Sequence, residues 1–557
     1  MEPRLDPPNP SAPRHRVIRL AGYLPLSVWA VTLLGLLLRA WHLGAESLWM
    51  DEVRQVRMYH HSEHLWHLIW SAAGQQQPPL DYLIGWALAQ LLPFSEVVAR
   101  LPALIFGTAM IPLVFLLGSR VFSRRAGQGA AWLVALCPPL VQYAQEARPY
   151  SIYACLLLVL LLATLRFVDS PEIAKRSGLG WPAFLLLMSR GMEPLLALTS
   201  LGITFLLLLP RRRWRAALQP LVLAGLAFLP FFGVIVVRSV QYLGGAPSHV
   251  QASRLQRLAL WPQMIREATT GLAPHAWPLL LGGAALGLLG LWQRRRIDHH
   301  ALVLPVFFLV VIPLHTFVYA LSVDAKEAPF HARYLLYSLP ILCLLAAVGW
   351  DLLGQRWPKF SLLLVLAVIG SAALLAQDLP DVYRLRKVDY RALGQVLESQ
   401  ARYGDVVLRS SWRRRGGWQA DVYGEGLYWQ LPLPRLQVAE LTKEIAEKPE
   451  EHRRIFLVLQ GLADTPLPVP AGVVQTRLRG LVLLQAQGDL PWRDAMLRLL
   501  DLMLATYPQD DSRLEPLLAK AQLLCAQDPG SADKVLDSAR LFQQEAPLPA
   551  HCQGLGR

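Results

Sequence analysis

Long apolar runs recur along most of this chain, separated by short polar stretches rich in arginine. Many of the runs approach the roughly 20 residues that a helix needs to cross the hydrocarbon core of a bilayer. We therefore expect a mainly α-helical polytopic membrane protein with about 11 transmembrane helices. The predicted spans are approximately 20–40, 101–119, 128–143, 150–168, 179–188 paired with 193–209, 216–237, 274–292, 301–321, 333–352 and 360–378.

The charges between these runs predict how the chain is threaded, because clusters of Arg and Lys stay on the cytoplasmic side of membrane proteins. The N-terminus, 1–19, is polar and proline-rich, and we expect it to be disordered and cytoplasmic. The clusters between spans are Arg120, Arg124 and Arg125; Arg211, Arg212, Arg213 and Arg215; Arg294, Arg295 and Arg296; and Arg356 and Lys359. Keeping all of them in the cytoplasm places 41–100, 144–149, 238–273, 322–332 and everything after 380 on the other side.

One apolar segment, 79–93, does not fit this scheme, because its roughly 15 residues are short for a span. We interpret it as a re-entrant helix or as a helix that lies in the membrane interface. If it crossed fully, another crossing would have to be gained or lost to keep the arginine clusters in the cytoplasm.

Beyond residue 380 the pattern changes, because charged residues become frequent and no apolar run is long enough to cross a membrane. We expect a small extracytoplasmic α/β domain over 380–490 and a helical tail over 491–557. Short apolar runs predict buried strands and amphipathic patterns predict helices. The predicted strands are 404–408, 454–459 and 472–478, and the predicted helices of the domain are 389–402 and 437–449.

Composition supports a membrane protein. Of 557 residues, 54% are hydrophobic and 17% are charged, whereas an average soluble domain has about 25% charged residues. The mean hydropathy is +0.33. The formal net charge of +14 then reflects arginine-rich cytoplasmic loops and contact with anionic membrane lipids. We expect no nucleic-acid partner on that ground.

Two adjacent carboxylates, Asp51 and Glu52, follow an aromatic segment in the first predicted external loop, 41–100. Charges that dip toward a membrane surface are costly and are often functional. The alternative is structural, since acidic residues in the first turn of a helix stabilise its dipole. The residues alone do not decide between these two interpretations.

Two further clusters lie at predicted outer ends of spans. Glu146 and Arg148 occupy a very short loop; the acid either pairs with the arginine or caps the next helix, or the two serve an acceptor and a phosphate. Arg333 and Tyr334 either belong to an interfacial belt or hold a lipid-linked phosphate. Asp324, Lys326, Glu327 and His331 precede them.

A histidine-rich segment follows the first acidic pair. On a continuous helix, His60, His64 and His67 would share one face with Glu63 nearby, and three imidazoles on one stripe are able to hold a divalent metal such as zinc. The alternative is an interfacial amphipathic helix whose histidines face lipid headgroups. A metal is thus a possible cofactor, and the sequence requires none.

Several short stretches of the sequence, in their order and context, resemble the GT-C type membrane glycosyltransferases. They look most like bacterial relatives of the protein O-mannosyltransferases and the lipid A aminoarabinose transferases. The resemblance spans roughly 20–410, and two positions depart from it: Gln77 stands where relatives often have His or Lys, and Gly191–Pro194 replaces a His-aromatic turn. The matching stretches are 47–52 (SLWMDE), 77–83 (QPPLDYL), 100–107 (RLPALIFG), 117–127 (LGSRVFSRRAG), 143–150 (YAQEARPY), 330–335 (FHARYL), 389–391 (DYR) and 404–408 (GDVVL).

The resemblance implies a GT-C catalytic domain over 20–378 in the inner membrane of a bacterium. It implies an inverting transfer of a hexosyl or pentosyl group from a polyprenyl-phosphate-linked donor to a hydroxyl acceptor on a protein, lipid or glycan. The catalytic acids of such an enzyme would be Asp51, as general base, with Glu52 and Glu146. The residues expected to bind the donor phosphate are Arg100, Arg148, Arg333 and Tyr334.

The chemistry of sugar transfer gives a separate reason to assign these roles to a carboxylate and to arginines. A hydroxyl is a poor nucleophile at neutral pH, so a positioned carboxylate that removes its proton accelerates attack. The lipid phosphate leaves as an anion and is stabilised by arginine. Two other functions remain open, a transporter or flippase and a non-catalytic scaffold. The candidate acids lie in loops and not at mid-bilayer, and no inverted repeat is evident, which disfavours transport.

Overall fold

The structure is a computed structural model. It describes 24–74, 77–169, 178–191, 193–243, 275–294, 302–322, 332–357, 361–385 and 387–402, with parts of a sheet and of a helical tail within 405–540. The predicted apolar runs form helices wherever they are described. These helices are α1 (Leu26–Ala40), α2 (Met50–His60), α3 (Leu65–Gly74), α4 (Leu80–Leu91), α5 (Glu96–Val121), α6 (Arg124–Leu136), α7 (Pro138–Gln142), α8 (Tyr150–Asp169), α9 (Gly180–Leu187), α10 (Glu193–Leu208), α11 (Arg211–Leu243), α12 (Trp277–Arg294), α13 (Val303–Ser322), α14 (Leu339–Arg356) and α15 (Ser361–Val382).

Within the described residues, five helical stretches are long and apolar enough to cross a membrane: Glu96–Val121, Tyr150–Val168, Arg213–Val237, Arg333–Arg356 and Val365–Val382. Shorter apolar helices are Leu26–Ala40, Glu193–Leu208, Pro278–Trp292 and Val303–Val318. Large apolar side chains lie on the surface of several of these helices, which suits lipid contact and not water. The chain is therefore an integral membrane protein, and the count of about 11 crossings stays a prediction.

The helix α14 lies at the centre of the bundle, and all of its residues from Leu339 to Asp351 are buried. Glycines let α12 approach it at backbone distance. A Cβ atom at Gly349 would collide with the Gly283 carbonyl oxygen, and one at Gly283 would lie 2.6 Å from the Trp350 ring nitrogen. Small residues at helix contacts are the usual way in which membrane helices pack closely.

The segment between α1 and α5 folds as three short helices, α2, α3 and α4, beside the N-terminal end of α5. At 12 residues, α4 is too short to cross a bilayer, since its length is about 18 Å. This agrees with the interpretation of 79–93 as a helix that does not span. The first loop is therefore a folded unit attached to the membrane helices.

Beyond α15 the chain forms α16 (Tyr390–Gln400) and a five-stranded mixed sheet in the order β2-β1-β3-β5-β4. The strands are β1 (Val406–Arg409), β2 (Arg435–Gln437), β3 (Ile455–Gln460), β4 (Val473–Leu478) and β5 (Leu481–Ala486). β1 pairs in parallel with β2 and β3, and β5 pairs antiparallel with β3 and β4. Two helices follow, α17 (Trp492–Thr506) and α18 (Pro529–Arg540).

Three predicted strands and the helix 389–402 are confirmed as β1, β3, β4 and α16. The sequence prediction missed β2 and β5, and Gln437, predicted to begin a helix, ends β2. The rest of the predicted helix 437–449 lies outside the described residues.

The sheet, α16 and the first loop share one apolar core, in which Leu48, Val56 and Tyr59 pack with Phe456 and Leu483 among others. Polar contacts join the same parts. The Ser47 hydroxyl donates to the Val388 carbonyl at 2.7 Å and accepts from the Tyr390 amide at 3.2 Å. The Tyr428 hydroxyl accepts from the Leu48 amide at 2.7 Å. The C-terminal unit therefore fixes the loop that carries the first acidic pair.

Candidate functional site

Asp51 and Glu52 lie in the first turn of α2, which begins at Met50. Glu52 Oε2 accepts a hydrogen bond from the Trp49 amide at 3.2 Å, the contact that a glutamate three residues into a helix makes with the residue capping it. The structural interpretation of the acidic pair, at a helix N-terminus, is therefore correct in position. The two carboxylates nevertheless have different surroundings.

Glu52 is completely buried and fully paired. Its two oxygens accept from Nε and Nη2 of Arg100, each at 3.1 Å, which forms a bidentate ion pair. The Ala147 amide donates to Oε1 at 2.7 Å, and Lys387 Nζ lies 3.2 Å from Oε2. Burial favours the neutral acid, but Arg100 and Lys387 outweigh it and lower the pKa of Glu52 to about 2.

All the hydrogen-bond donors of the Arg100 side chain have partners within the protein. Besides binding Glu52, its guanidinium donates to three backbone carbonyls of the first loop, those of Leu43, Glu46 and Ser47, at 2.7 to 3.2 Å. These contacts occupy all five N–H donors of the side chain, which is 2% exposed. The expectation that Arg100 binds the donor phosphate is therefore not supported, since no donor is left for a ligand.

Asp51 differs from its neighbour, because its side chain is half-buried and no described residue forms a hydrogen bond to its carboxylate. The Arg148 guanidinium lies nearby, with Nη1 3.5 Å from the Asp51 backbone carbonyl, and it interacts electrostatically with the Asp51 carboxylate. Asp51 is therefore a carboxylate beside a cation, without a hydrogen bond to its oxygens from the described residues.

Glu146 follows a 3-10 turn, Tyr143–Gln145, and precedes α8. Its Oε1 lies 3.8 Å from Lys387 Nζ, and its Oε2 is buried without a hydrogen-bond partner among the described residues. Burial and the neighbouring charge of Glu52 raise the pKa of Glu146, although Lys387 partly opposes them. The ion pair between Glu146 and Arg148, one of the alternatives that the sequence left open, is not formed, because the Arg148 guanidinium contacts other groups.

Arg148 Nη1 donates to Gln55 Oε1 at 3.0 Å, and Gln55 Nε2 in turn donates to the buried carboxylate of Asp81. The Nε atom of Arg148 is buried without a partner among the described residues. The amide of Gln55 thus connects an acid to the cation that lies beside Asp51. Burial raises the pKa of Asp81 to about 6, against the opposing effect of Arg148.

This arrangement predicts a pH-dependent effect of Asp81→Asn on stability. Because the pKa of Asp81 rises from 3.8 to about 6 on folding, ionised Asp81 destabilises the protein above that range, and the penalty disappears as the pH falls below 3.8. We expect the variant, which keeps an acceptor for Gln55, to be more stable by about 2 kcal/mol near neutral pH. Melting curves at neutral and acidic pH measure this, and a lower melting temperature for the variant at neutral pH would contradict it.

Arg333 lies in the 3-10 turn that precedes α14, Ala332–Ser338. Its guanidinium carbon is 5.4 Å from the centre of the Trp49 ring and 5.7 Å from that of Tyr334. Its Nε is buried without a partner among the residues that the structure describes. The contact with Trp49, two residues before Asp51, brings Arg333 to the same site as the first acidic pair.

Arg190 completes this side of the site. Its guanidinium carbon stacks 4.1 Å from the centre of the Tyr150 ring and 5.4 Å from that of Tyr334, and its Nε pairs with Glu193 at 2.8 Å. Glu193 belongs to the segment 191–194, which departs from the sequence resemblance, and its carboxylate thus holds a second cation beside Tyr334.

The prediction that three histidines share one face of a continuous helix is wrong. α2 ends at His60 and α3 begins at Leu65, so His60, His64 and His67 do not share one helix. The His60 ring packs edge-on against His61 and Phe94, and His67 Nδ1 lies 3.5 Å from the Ser62 hydroxyl. Within the described part of the chain, no group of three or more His, Cys, Asp or Glu side chains is arranged to hold a metal ion.

Comparisons with known proteins bear on the fold. Residues 76–237 match the family described as dolichyl-phosphate-mannose-protein mannosyltransferase. The structure of ArnT from Cupriavidus metallidurans bound to undecaprenyl phosphate superposes with a TM-score of 0.52 at 15% identity, covering 82% of this chain and 97% of that chain. The chain has the GT-C glycosyltransferase fold.

A second, archaeal GT-C structure is also similar. The oligosaccharyltransferase AglB from Archaeoglobus fulgidus, in complex with an inhibitory peptide and a dolichol-phosphate, superposes with a TM-score of 0.50 at 14% identity. The superposition covers 79% of this chain and 69% of that chain. No curated protein sequence matches the chain. The resemblance noted in the sequence is therefore confirmed at the level of the fold.

The sequence did not identify four residues of this candidate site, namely Lys387, Gln55, Asp81 and Arg190. Asp81 lies within the stretch 77–83 that carries the resemblance, and an acid inside an apolar segment was the signal for it. Lys387 contacts Glu52 from 335 positions away, so only the fold reveals it. The residues Asp324, Lys326, Glu327 and His331 lie outside the described residues.

Proposed function

We propose that this protein is an inverting membrane glycosyltransferase that moves a hexosyl or pentosyl group from a polyprenyl-phosphate-linked donor to a hydroxyl acceptor. The observation that supports it most is the contrast within the first acidic pair. Glu52 is held by a bidentate ion pair, whereas the neighbouring Asp51 carboxylate has no described hydrogen-bond partner. The match of 76–237 to a mannosyltransferase family and the GT-C fold support sugar transfer as the function of the site that contains this contrast.

In the proposed reaction, Asp51 is the general base. The acceptor hydroxyl oxygen attacks the anomeric carbon of the sugar, its proton passes to the Asp51 carboxylate, and the bond between that carbon and the phosphate oxygen breaks. A single displacement of this kind inverts the anomeric centre and needs no covalent intermediate on the protein. Glu52 orients the turn that presents Asp51, because it bonds both the Trp49 amide and the Ala147 amide.

The released polyprenyl phosphate needs cationic stabilisation more than it needs a proton. Arg148 and Arg333 each keep a buried Nε atom without a described partner, so both have donors to offer to an anionic oxygen. Tyr334, which Arg333 and Arg190 both approach, would complete the phosphate site. We assign Arg100 a positioning role instead, through Glu52 and the first loop.

The lipid donor and the sidedness belong to the same proposal. ArnT in the similar structure is bound to undecaprenyl phosphate, and the AglB structure contains a dolichol-phosphate and a peptide. The arginine clusters predict that the acidic site, the sheet domain and the tail lie on the extracytoplasmic side, with the N-terminus in the cytoplasm. The acceptor would reach Asp51 from that side.

Replacement of Arg333 by alanine tests the phosphate site. We expect Arg333→Ala in lipid nanodiscs to bind undecaprenyl phosphate about tenfold more weakly, because one charge-assisted hydrogen bond is worth about 1.5 kcal/mol or more. Native mass spectrometry measures the bound lipid. Arg356→Ala, at the other end of α14, is the matched control and should bind normally. Equal binding by wild type and Arg333→Ala would exclude this role of Arg333.

A further inference from the structure

Lys387 occupies the stretch between α15 and α16 that connects the membrane helices to the sheet. Its Nζ lies 3.2 Å from Glu52 Oε2 and 3.8 Å from Glu146 Oε1, and its side chain is 18% exposed. One ammonium group therefore lies between two buried carboxylates that belong to different segments of the membrane domain. It contributes positive charge where two like charges would otherwise repel.

The two acids depend on this ammonium to different extents. Glu52 has Arg100 and two backbone amides besides Lys387, so its charge is balanced without the lysine. Glu146 has no comparable partner among the described residues, since its Oε2 is unbonded and its Oε1 contacts Lys387 alone within salt-bridge distance. Removal of Lys387 should therefore affect Glu146 more than Glu52.

The backbone of Lys387 is held mainly by the sheet unit. Its carbonyl accepts from Arg479 Nε at 2.8 Å, and Arg479 follows β4 directly. The Asp389 amide donates to the Arg479 carbonyl at 2.9 Å, which pins the same stretch a second time. On the membrane side, the Lys387 amide donates to Glu46 Oε1 at 2.9 Å. The backbone that carries the ammonium is thus held by contacts outside the pair Glu52 and Glu146.

We propose that Lys387, held in place by the C-terminal sheet, is a positioning residue that controls proton binding at Glu146. The proposal rests on the proposed function, and it gives Glu146, which the sequence resemblance marks as a catalytic acid, the task of accepting a hydrogen bond from the acceptor hydroxyl. Lys387 shifts Glu146 toward its carboxylate form, which is able to accept a hydrogen bond from the acceptor. Without it, burial beside Glu52 favours the neutral acid.

The charged and titratable groups that act on Glu146 come from every neighbouring segment, and they oppose one another. Lys387, Arg333 and Arg100 favour its carboxylate form, while Glu52 disfavours it. Tyr143, in the 3-10 turn before Glu146, also interacts with it. Lys387 has the largest effect of these neighbouring charges, and burial raises the pKa of Glu146 more than any of them shifts it. A substitution at Lys387 should therefore be visible above the other contributions.

The test is a pH titration of the protein in nanodiscs by infrared difference spectroscopy, which reports carboxyl groups without any turnover. The carboxylic acid band that Glu146→Gln removes is assigned to Glu146. In Lys387→Met we expect its titration midpoint to rise by about one pH unit or more, since an oppositely charged group within a few ångströms has gone. Lys387→Arg should restore the wild-type midpoint.

Arg384→Met is the matched control, because Arg384 belongs to the same connection and is exposed; it should leave the midpoint unchanged. An unchanged midpoint in Lys387→Met would overturn the proposal. If Lys387→Met does not fold, the variant Arg479→Gln provides the test. We expect its Glu146 titration midpoint to rise by a smaller amount. An unchanged midpoint in Arg479→Gln would then overturn the proposal. Since the titration needs no donor or acceptor, its outcome is separate from that of any transfer assay.

Discussion

Asp51→Asn should reduce sugar transfer by about 10²- to 10⁴-fold, the usual contribution of a general base, while leaving the protein folded. The carboxylate has no described hydrogen-bond partner, so its loss removes little stabilisation from the structure. Asn is of equal size but cannot accept a proton. Single-turnover assays with membranes that contain the native lipid-linked donor measure the rate of transfer.

The matched control for this substitution is Glu63→Gln, an exposed acid in the turn between α2 and α3. We expect wild-type transfer from that control. Binding of undecaprenyl phosphate should also be unchanged in Asp51→Asn, because the base acts on the acceptor and not on the lipid phosphate. A variant that transfers sugar at the wild-type rate would remove Asp51 from the mechanism.

Glu52→Gln should destabilise the protein by about 3–5 kcal/mol, because it leaves the buried guanidinium of Arg100 without its main counter-charge. The pKa of Glu52 is lowered from 4.5 to about 2 on folding. Its stabilising contribution is therefore complete above pH 4.5 and is lost as the pH falls toward 2. Thermal unfolding in detergent measures the difference, which should shrink in acid.

A double substitution separates the ion pair from its surroundings. Glu52→Gln combined with Arg100→Met should cost less than the sum of the two single changes, because neither charge is then left alone. Asp381→Asn breaks an exposed pair with Arg384 and should change stability by less than about 1 kcal/mol. Additive losses at Glu52 and Arg100 would show that the bidentate contact does not couple them.

Much of the fold could be predicted from the sequence, because the signals are local. Apolar runs specify helices, and the predicted spans are helical where they are described, although 128–143 divides into α6 and α7 at Cys137. The strands that were found, such as β3, are continuous apolar runs. The strand β2 was missed because it has only three residues. The strand β5 was missed because its apolar run begins only three positions after β4 ends at Leu478.

The site was only partly predictable, because its contacts join distant positions. The sequence identified Asp51, Glu146 and Arg333, each in a motif at the end of an apolar run. It assigned Arg100 to the donor phosphate, since nothing in the spacing shows that this arginine meets Glu52 across 48 positions. The predicted face of three histidines is wrong because it required one continuous helix, whereas the helix α2 ends at His60 and the chain turns at His61.

The most direct test of the central claim is the pool of polyprenyl-phosphate-linked sugars in cells whose own copy of this protein carries Asp51→Asn. Mass spectrometry of extracted lipids identifies the donor by its sugar, so the sugar need not be known beforehand. We predict that one lipid-linked sugar accumulates relative to wild-type cells, because it is made but no longer consumed. A pool identical to that of wild-type cells, with the variant present in the membrane at normal levels, would contradict the account.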